Sequence, residues 1–279
     1  MSAAATGLPH DALTGIRVVN FALHLPGPLT AQHLRELGAE VIKVEPPHGD
    51  PFAAIAPGWY QTMSAGHDIR RIDLKSDSGR ADVEKLLEEA DVVITSFRPA
   101  ALTRMGLDRL STRYPRLIHI DIVGDTDHPD TPGHDLTYQA AAGTLTAPTM
   151  PAVLLGDVLG AHRATELALA GLLRRVGSGT GGHFQVGLKQ AAVAAAAGRD
   201  HGLTGPEGIL GGAHWTYGIY ECADGYIAVA ALEPHFESAL TEITGATTSA
   251  QLGEFLKLHP TAYLAELAAK HQLPLAPVR

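Results

Sequence analysis

Residues 15–47 read GIRVVNFALHLPGPLTAQHLRELGAEVIKVEPP, and the alternation within this stretch decides the fold class. Ile16–Phe21 is a short β-branched run that reads as a strand. Pro28–Leu37 carries a helical pattern that ends at Gly38, the residue type that most readily turns left-handed past a helix. Glu40–Glu45 is a second strand, stopped by Pro46-Pro47. Strand, helix and strand in this order form the crossover unit of a parallel sheet.

The same alternation continues outward. Gly79–Ala90 is helical, with Val83, Leu86 and Leu87 on one side and Glu84, Glu88 and Glu89 on the other. Asp91–Thr95 and Arg116–Val123 are rich in Val and Ile and read as buried strands. A long Ala/Leu helix covers Val158–Arg175 and is closed by the Gly-rich 177–182 turn. Phe184–Leu188 is a further strand and Gln190–Ala197 a further helix. These elements predict an α/β fold with a Rossmann-like, doubly wound parallel sheet. No GxGxxG follows the first strand, so a dinucleotide site of the usual kind is not expected. After about Gly198 the pattern changes. Tyr217–Cys222 and Gly225–Ala230 form a hairpin around Ala223-Asp224, and helices follow at His235–Thr244, Gln251–Lys257 and Tyr263–His271. The expected organisation is a large domain over 1–199 and a smaller α+β domain over 200–279.

Composition narrows the function classes. The 279 residues are 45% hydrophobic and 18% charged, enough for a buried core and too apolar for global disorder. Thirty acidic against 21 basic residues leave a net charge of −9, which argues against a phosphate-backbone binder. A single cysteine, Cys222, excludes an internal disulfide framework and fits a reducing cytosol. Met1–His10 is small and polar, without the basic and apolar regions of a signal peptide. No apolar run reaches the roughly 18 residues of a membrane span. The fifteen histidines form no zinc-type spacing. The expectation is a cytoplasmic enzyme with no membrane or nucleic-acid partner.

Four segments carry chemistry. His24-Leu25-Pro26-Gly27-Pro28 joins the first strand to its helix; it is either a tight turn or an anion site at a helix N-terminus. Gly133-His134-Asp135-Leu136-Thr137-Tyr138 puts a histidine at a loop-to-helix junction, with Asp135 as a possible N-cap. Leu155-Gly156-Asp157-Val158 sets a carboxylate at a helix start, as a cap or as a base or nucleophile. Leu232-Glu233-Pro234 holds Glu233 extended ahead of a proline.

In their order these segments resemble the superfamily of family III CoA-transferases and α-methylacyl-CoA racemases. Gly15–Val19, Pro26-Gly27-Pro28 and Leu37–Glu45 are similar to its N-terminal signature. Ile72-Asp73-Leu74-Lys75, Ala90–Ile94 and Phe97-Arg98-Pro99 continue it, and the match runs to Ala276-Pro277-Val278. The resemblance implies an interlocked homodimer binding CoA thioesters between domains, with no cofactor beyond the CoA moiety of the substrate. In the transferases the aspartate matched by Asp157 is the nucleophile. In the racemases it shares proton transfer with the histidine of Gly-His-Asp, matched by His134, and a glutamate matched by Glu233 orients that histidine. All three racemase positions are filled, so the resemblance implies racemisation or epimerisation of a 2-methylacyl-CoA by 1,1-proton transfer. Amides at the helix start beside Asp157 are expected to hold the thioester oxygen. Pro28, Lys75, Arg98 and Tyr138 are expected at the CoA moiety. The alternatives are a CoA-transferase using Asp157 as nucleophile, and a non-catalytic homologue that binds a CoA ligand or a partner.

Three departures from the family accompany the match. Asp68 stands where a basic residue is expected near the CoA phosphates, with Arg70, Arg71 or Arg98 available to compensate. The relatives continue past the position of Arg279, so the intertwined dimer is expected to be simplified. The loop between Gly143 and Asp157 is short, with Pro148 and Pro151, and is expected to reshape the acyl pocket. Met63 and Met105 are packing residues or acyl-pocket linings.

Overall fold

The computed structural model describes Gly7 and residues 9–278; most of the opening segment read above as a small, polar terminus lies outside the described residues. The chain divides into two compact units between Ala195 and Ala196. That is four residues before the boundary expected from sequence, because the short helix Ala197–Asp200 goes with the second unit.

In chain order the first unit contains β1 (Arg17–Asn20), α1 (Pro26–Glu36), β2 (Glu40–Glu45), α2 (Phe52–Ile55), α3 (Pro57–Met63), β3 (Asp68–Arg71) and α4 (Asp77–Glu89). It continues with β4 (Val92–Thr95), α5 (Pro99–Met105), α6 (Leu110–Arg113), β5 (Ile118–Val123), α7 (Asp135–Ala142), α8 (Leu155–Ser178), β6 (Gly182–Gly187) and α9 (Leu188–Ala195). The six strands form one wholly parallel sheet in the order β3-β2-β1-β4-β5-β6. Every residue of the central strands β4 and β5 is buried, which is why they read as unbroken apolar runs. The edge strand β3 is exposed along its whole length and has no such signal. It owes its place to parallel pairing with β2, Ile42 opposite Asp68 through Glu45 opposite Arg71.

Two helices start earlier than their sequence patterns suggest. Helix α1 begins at Pro26, since a second proline is also tolerated in the first turn. It ends as expected: Gly38 adopts φ +102 just beyond it. Helix α8 begins at Leu155, three residues ahead of the periodic pattern, because the groups that satisfy its first amides come from another helix, as described below. Its small buried residues, Gly156, Gly160, Ala161, Ala164, Ala168 and Gly171, let it lie close against α1, α9 and the sheet.

The second unit comprises α10 (Ala197–Asp200), β7 (Tyr217–Cys222), β8 (Gly225–Ala230), α11 (Pro234–Thr244), α12 (Ser249–Lys257), α13 (Thr261–His271) and β9 (Leu275–Pro277). The three strands form an antiparallel sheet in chain order. Its core gathers Cys222, Ile227, Val229, Leu240, Leu252, Leu256 and Leu264. No helix among the described residues is long and apolar enough to cross a membrane.

A charged cluster centred on Lys43 lies inside the first unit. Lys43 of β2 is wholly buried, and its Nζ sits 2.7 Å from Asp50 Oδ2 and 3.1 Å from Glu45 Oε1. Tyr60 donates its hydroxyl to Glu45 Oε1 at 2.7 Å, and the ammonium lies 4.5 Å from the Tyr60 ring centroid. Burial and the bond to Glu45 push the Tyr60 phenol up to about 12, so it stays a donor throughout the physiological range. A buried pair that loses one partner leaves an uncompensated charge in the core. Lys43→Met is therefore expected to lower unfolding free energy by about 3–5 kcal/mol in a urea titration; a change below about 1 kcal/mol would show that the cluster does not hold the unit together.

Candidate active site

A cavity of about 450 Å³ opens in the first unit beyond the C-terminal ends of β1, β4 and β5. The order in which strands are added reverses between β1 and β4, so the loops after these parallel strands part and leave a crevice. Its walls come from the turn after β1 (His24, Leu25, Pro26), the loop after β4 (Ser96, Phe97, Arg98) and the loop after β5 (Gly124, Pro129 and residues 131–134). Tyr138 of α7 and Asp157 of α8 complete them. Leu23, Phe52, Ile55, Ile122, Leu154 and Leu188 add apolar surface. The loop after β5 is tied to α9: Asp125 accepts from Lys189 Nζ and Gln190 Nε2, each at 2.7 Å. Lys189 and Gln190 hold the Asp125 carboxyl well below the usual carboxylate range.

His134 occupies the N-cap position of α7, extended at φ −137, and Asp135 follows as the first helical residue. Thr137 fixes the His134 backbone by accepting from its N–H at 3.1 Å and donating to its C=O at 2.7 Å. Asp135 does not cap its own helix. It is buried, and its Oδ1 accepts the N–H groups of Gly156 at 2.7 Å and Asp157 at 3.1 Å. Its Oδ2 accepts from Gln139 Nε2 at 2.6 Å, and Gln139 also donates to the Val153 carbonyl at 2.8 Å. Asp135 thus caps α8 from α7. The N-cap residue of α8, Leu154, has no side chain for the task.

Two consequences follow for Asp157. Capping is done by Asp135, so Asp157 is not the cap that its position suggests, and among the described residues no donor or cation is paired with its carboxylate. Burial, with Asp135 as the neighbouring negative charge, raises its pKa from 3.8 to about 7. The amides of Gly156 and Asp157, expected to receive a thioester oxygen, are occupied by Asp135, which corrects that expectation. The N–H groups of Asp135 and Leu136, at the start of α7, have no acceptor among the described residues.

Tyr138 is buried against the glycines of the loop. A Cβ at Gly133 would come within 2.5 Å of its ring and one at Gly124 within 2.3 Å of its hydroxyl. Burial and the Asp157 carboxylate raise its pKa and keep the phenol protonated at neutral pH. Arg98, exposed at the N-cap position of α5, has no anionic partner among the described residues.

Of the residues expected at the CoA moiety, Arg98 and Tyr138 line the cavity and Pro28 and Lys75 do not. Pro28 is buried inside α1, and the wall residue is Pro26. Lys75 lies exposed in the loop ahead of α4. The anion site proposed at the start of α1 is poor in donors, because Pro26 and Pro28 carry no N–H. Asp68 is also away from the cavity; Arg70 neutralises it through two bonds of 2.9 and 2.7 Å. Met63 packs with Leu25 and Phe52, and Met105 against the main core, so both are packing residues. Glu233 belongs to the second unit, where it is the extended N-cap residue of α11. Sequence reasoning marked the segment that opens with His24 but gave His24 itself no role, and it missed Leu154 as a wall residue.

The comparisons with known proteins agree on the family. The model of CoA-transferase family III matches residues 13–279. Similar proteins include the probable fatty acyl-CoA transferase Rv3272 of Mycobacterium tuberculosis, 30% identical over 97% of this chain and 78% of that protein. The succinate–glutarate CoA-transferase of Agrobacterium fabrum is 32% identical over 78% of this chain and 62% of its own length. The crystal structure of the mycobacterial Rv3272 superposes with a TM-score of 0.83 at 26% identity, covering 98% of this chain and 84% of that one. The chain belongs to CoA-transferase family III, a family of acyl-CoA enzymes.

A group whose folded pKa is raised favours the folded state only while protonated. Ionised Asp157 therefore costs stability progressively from about pH 4 to about pH 7, and fully above that. Asp157→Asn is expected to match wild type near pH 4 and to exceed it above pH 7 by up to about 4 kcal/mol in denaturant titrations. A pH-independent difference would refute the raised pKa.

Proposed function

We propose that this family III member racemises or epimerises the α-carbon of a 2-methylacyl-CoA by 1,1-proton transfer, with Asp157 and His134 as the two proton-transfer groups. The observation that carries the reading is the unpartnered Asp157 carboxyl, raised to about 7, in one cavity with His134. General acid–base catalysis works best when the group titrates near the working pH, and Asp157 meets that condition.

In this mechanism one group takes the α-proton and the C–H electron pair passes into the thioester as an enolate. The other group returns a proton to the opposite face, inverting the centre. The amides of Asp135 and Leu136, and the Tyr138 hydroxyl, are donors available to the oxygen that gains charge. Arg98 is the cation available to a CoA phosphate. Glu233 is assigned the orienting role for His134 on the family resemblance, and assembly as an interlocked homodimer has the same support. No cofactor beyond the CoA moiety enters the reaction.

A second reading has its own support, since the named relatives above are CoA-transferases. There the Asp157 oxygen attacks the thioester carbonyl, the C–S bond breaks, and CoA leaves as the thiolate to give an acyl-aspartyl anhydride.

The two readings separate in deuterated water. Incubation with a chiral 2-methylacyl-CoA, followed by NMR without an acceptor acid, is expected to show α-deuterium incorporation with loss of optical purity. Asp157→Asn and His134→Ala should each slow it by about 10²–10⁴-fold. Transfer only when an acceptor acid is added, with hydroxylamine trapping of the enzyme, would replace the racemase reading with the transferase one. Retained racemisation in His134→Ala would remove that residue from the mechanism.

A further inference from the structure

We propose that His24 is a further substrate-contacting residue of the cavity, its imidazole hydrogen-bonding the thioester carbonyl oxygen, the one oxygen that a 2-methylacyl group offers. The inference rests on the reading that this cavity takes an acyl-CoA thioester.

Among the described residues three other than glycine adopt a positive φ: His24 at +66, Arg109 at +54 and Gln272 at +54. Arg109 and Gln272 stand at helix ends, where a left-handed residue serves to start or stop the helix. His24 stands at the crevice between β1 and α1, and of the three it alone lines the cavity. A turn that had only to reverse the chain would be met with less strain by glycine. Strained backbone persists where the surroundings over-determine it, and such positions gather at functional sites.

The surroundings do over-determine this one. The His24 N–H donates to Asp50 Oδ1 at 3.1 Å, and the same oxygen accepts from Phe52 N–H at 2.9 Å. Asp50 Oδ2 is anchored 2.7 Å from the wholly buried Lys43 ammonium. One buried carboxylate therefore fixes two neighbouring parts of the cavity wall, the His24 turn and the start of α2, to the core of β2. The backbone of His24 is held while its side chain is exposed at the cavity.

The chemistry of this wall calls for a side-chain donor. Helix α1 begins here, yet its first and third residues, Pro26 and Pro28, have no N–H, so the usual backbone donors of a helix start are reduced to the Gly27 amide. A ligand oxygen on the β1 side of the crevice then has the imidazole of His24 as a flexible partner, able to donate from one ring nitrogen and accept at the other.

The test uses His24→Gly, His24→Asn and the wild-type chain, with 2-methylpropanoyl-CoA as the probe and free CoA as the control. His24→Gly relieves the left-handed strain, so it should melt at or above the wild-type temperature. It should nonetheless bind the thioester roughly tenfold more weakly, as expected for loss of one hydrogen bond to ligand, with affinity for free CoA unchanged. His24→Asn, which tolerates the same backbone and keeps hydrogen-bonding capacity, should restore most of the affinity. In the wild type the ring resonances of His24, assigned by their absence in His24→Gly, should shift on adding the thioester and not on adding CoA. A His24→Gly protein of higher melting temperature with unchanged thioester affinity, or His24 resonances that do not move, would reduce His24 to a turn residue and overturn the proposal. These readouts need binding and no turnover. A wild type that binds the thioester but shows no α-proton exchange would count against the racemase reading alone.

Discussion

The site depends on a single carboxylate that leaves its own helix to cap another. Asp135 opens α7, yet its Oδ1 is bonded to the first amides of α8, and its Oδ2 to Gln139 one turn along. The helices carrying His134 and Asp157 are thereby joined at their starts, and the two side chains face one cavity. The same bond decides the chemistry of Asp157. A free helix N-terminus would stabilise its ionised form. Here those amides are taken up by Asp135, whose negative charge adds to the burial that makes ionisation of Asp157 costly. A carboxyl that is buried, unpartnered and beside another carboxylate holds its proton near neutral pH and can both give and take one.

The sheet supplies the space into which this pair works. Six parallel strands in the order 3-2-1-4-5-6 send their connections away from each other at the β1–β4 junction, and a crevice is unavoidable there. What makes the crevice a defined cavity is a second buried interaction, Lys43 with Asp50, which binds the turn after β1 and the start of α2 to the core. The two devices hold different parts of the wall, the starts of α7 and α8 in one case and the His24 turn with the start of α2 in the other. Each trades the desolvation of charged groups for fixed geometry, a bargain that suits a reaction needing groups on two faces of one carbon.

Much of this architecture was legible from sequence. The buried strands announced themselves through Val and Ile runs, and the hairpin Tyr217–Cys222 with Gly225–Ala230 through its turn residues. Strand β3 did not, because an edge strand reading Asp-Ile-Arg-Arg carries no apolar alternation and is held by backbone pairing alone. The short helices α2, α3, α5 and α6 fell below the length at which periodicity shows. At the site, residue order and family resemblance pointed to His134 and Asp157, but could not reveal which aspartate caps which helix. That is a contact 21 residues apart in sequence, between Asp135 and Gly156. The same limit applies to Pro28 and Lys75, which belong to the matched segments but do not line this cavity. The segment that opens with His24 stood out in the sequence, but its left-handed backbone, held by Asp50, could not be read from its own identity.

The measurement that bears most directly on the account is the titration of Asp157 itself, followed by carboxyl carbon NMR in protein labelled at aspartate and assigned with Asp157→Asn. A midpoint near 7 is expected in the wild type. In Asp135→Asn, where the neighbouring charge is gone but burial remains, the midpoint should fall part of the way toward the ordinary carboxylate range. A wild-type Asp157 that titrates near 4, or one indifferent to the charge at position 135, would contradict it.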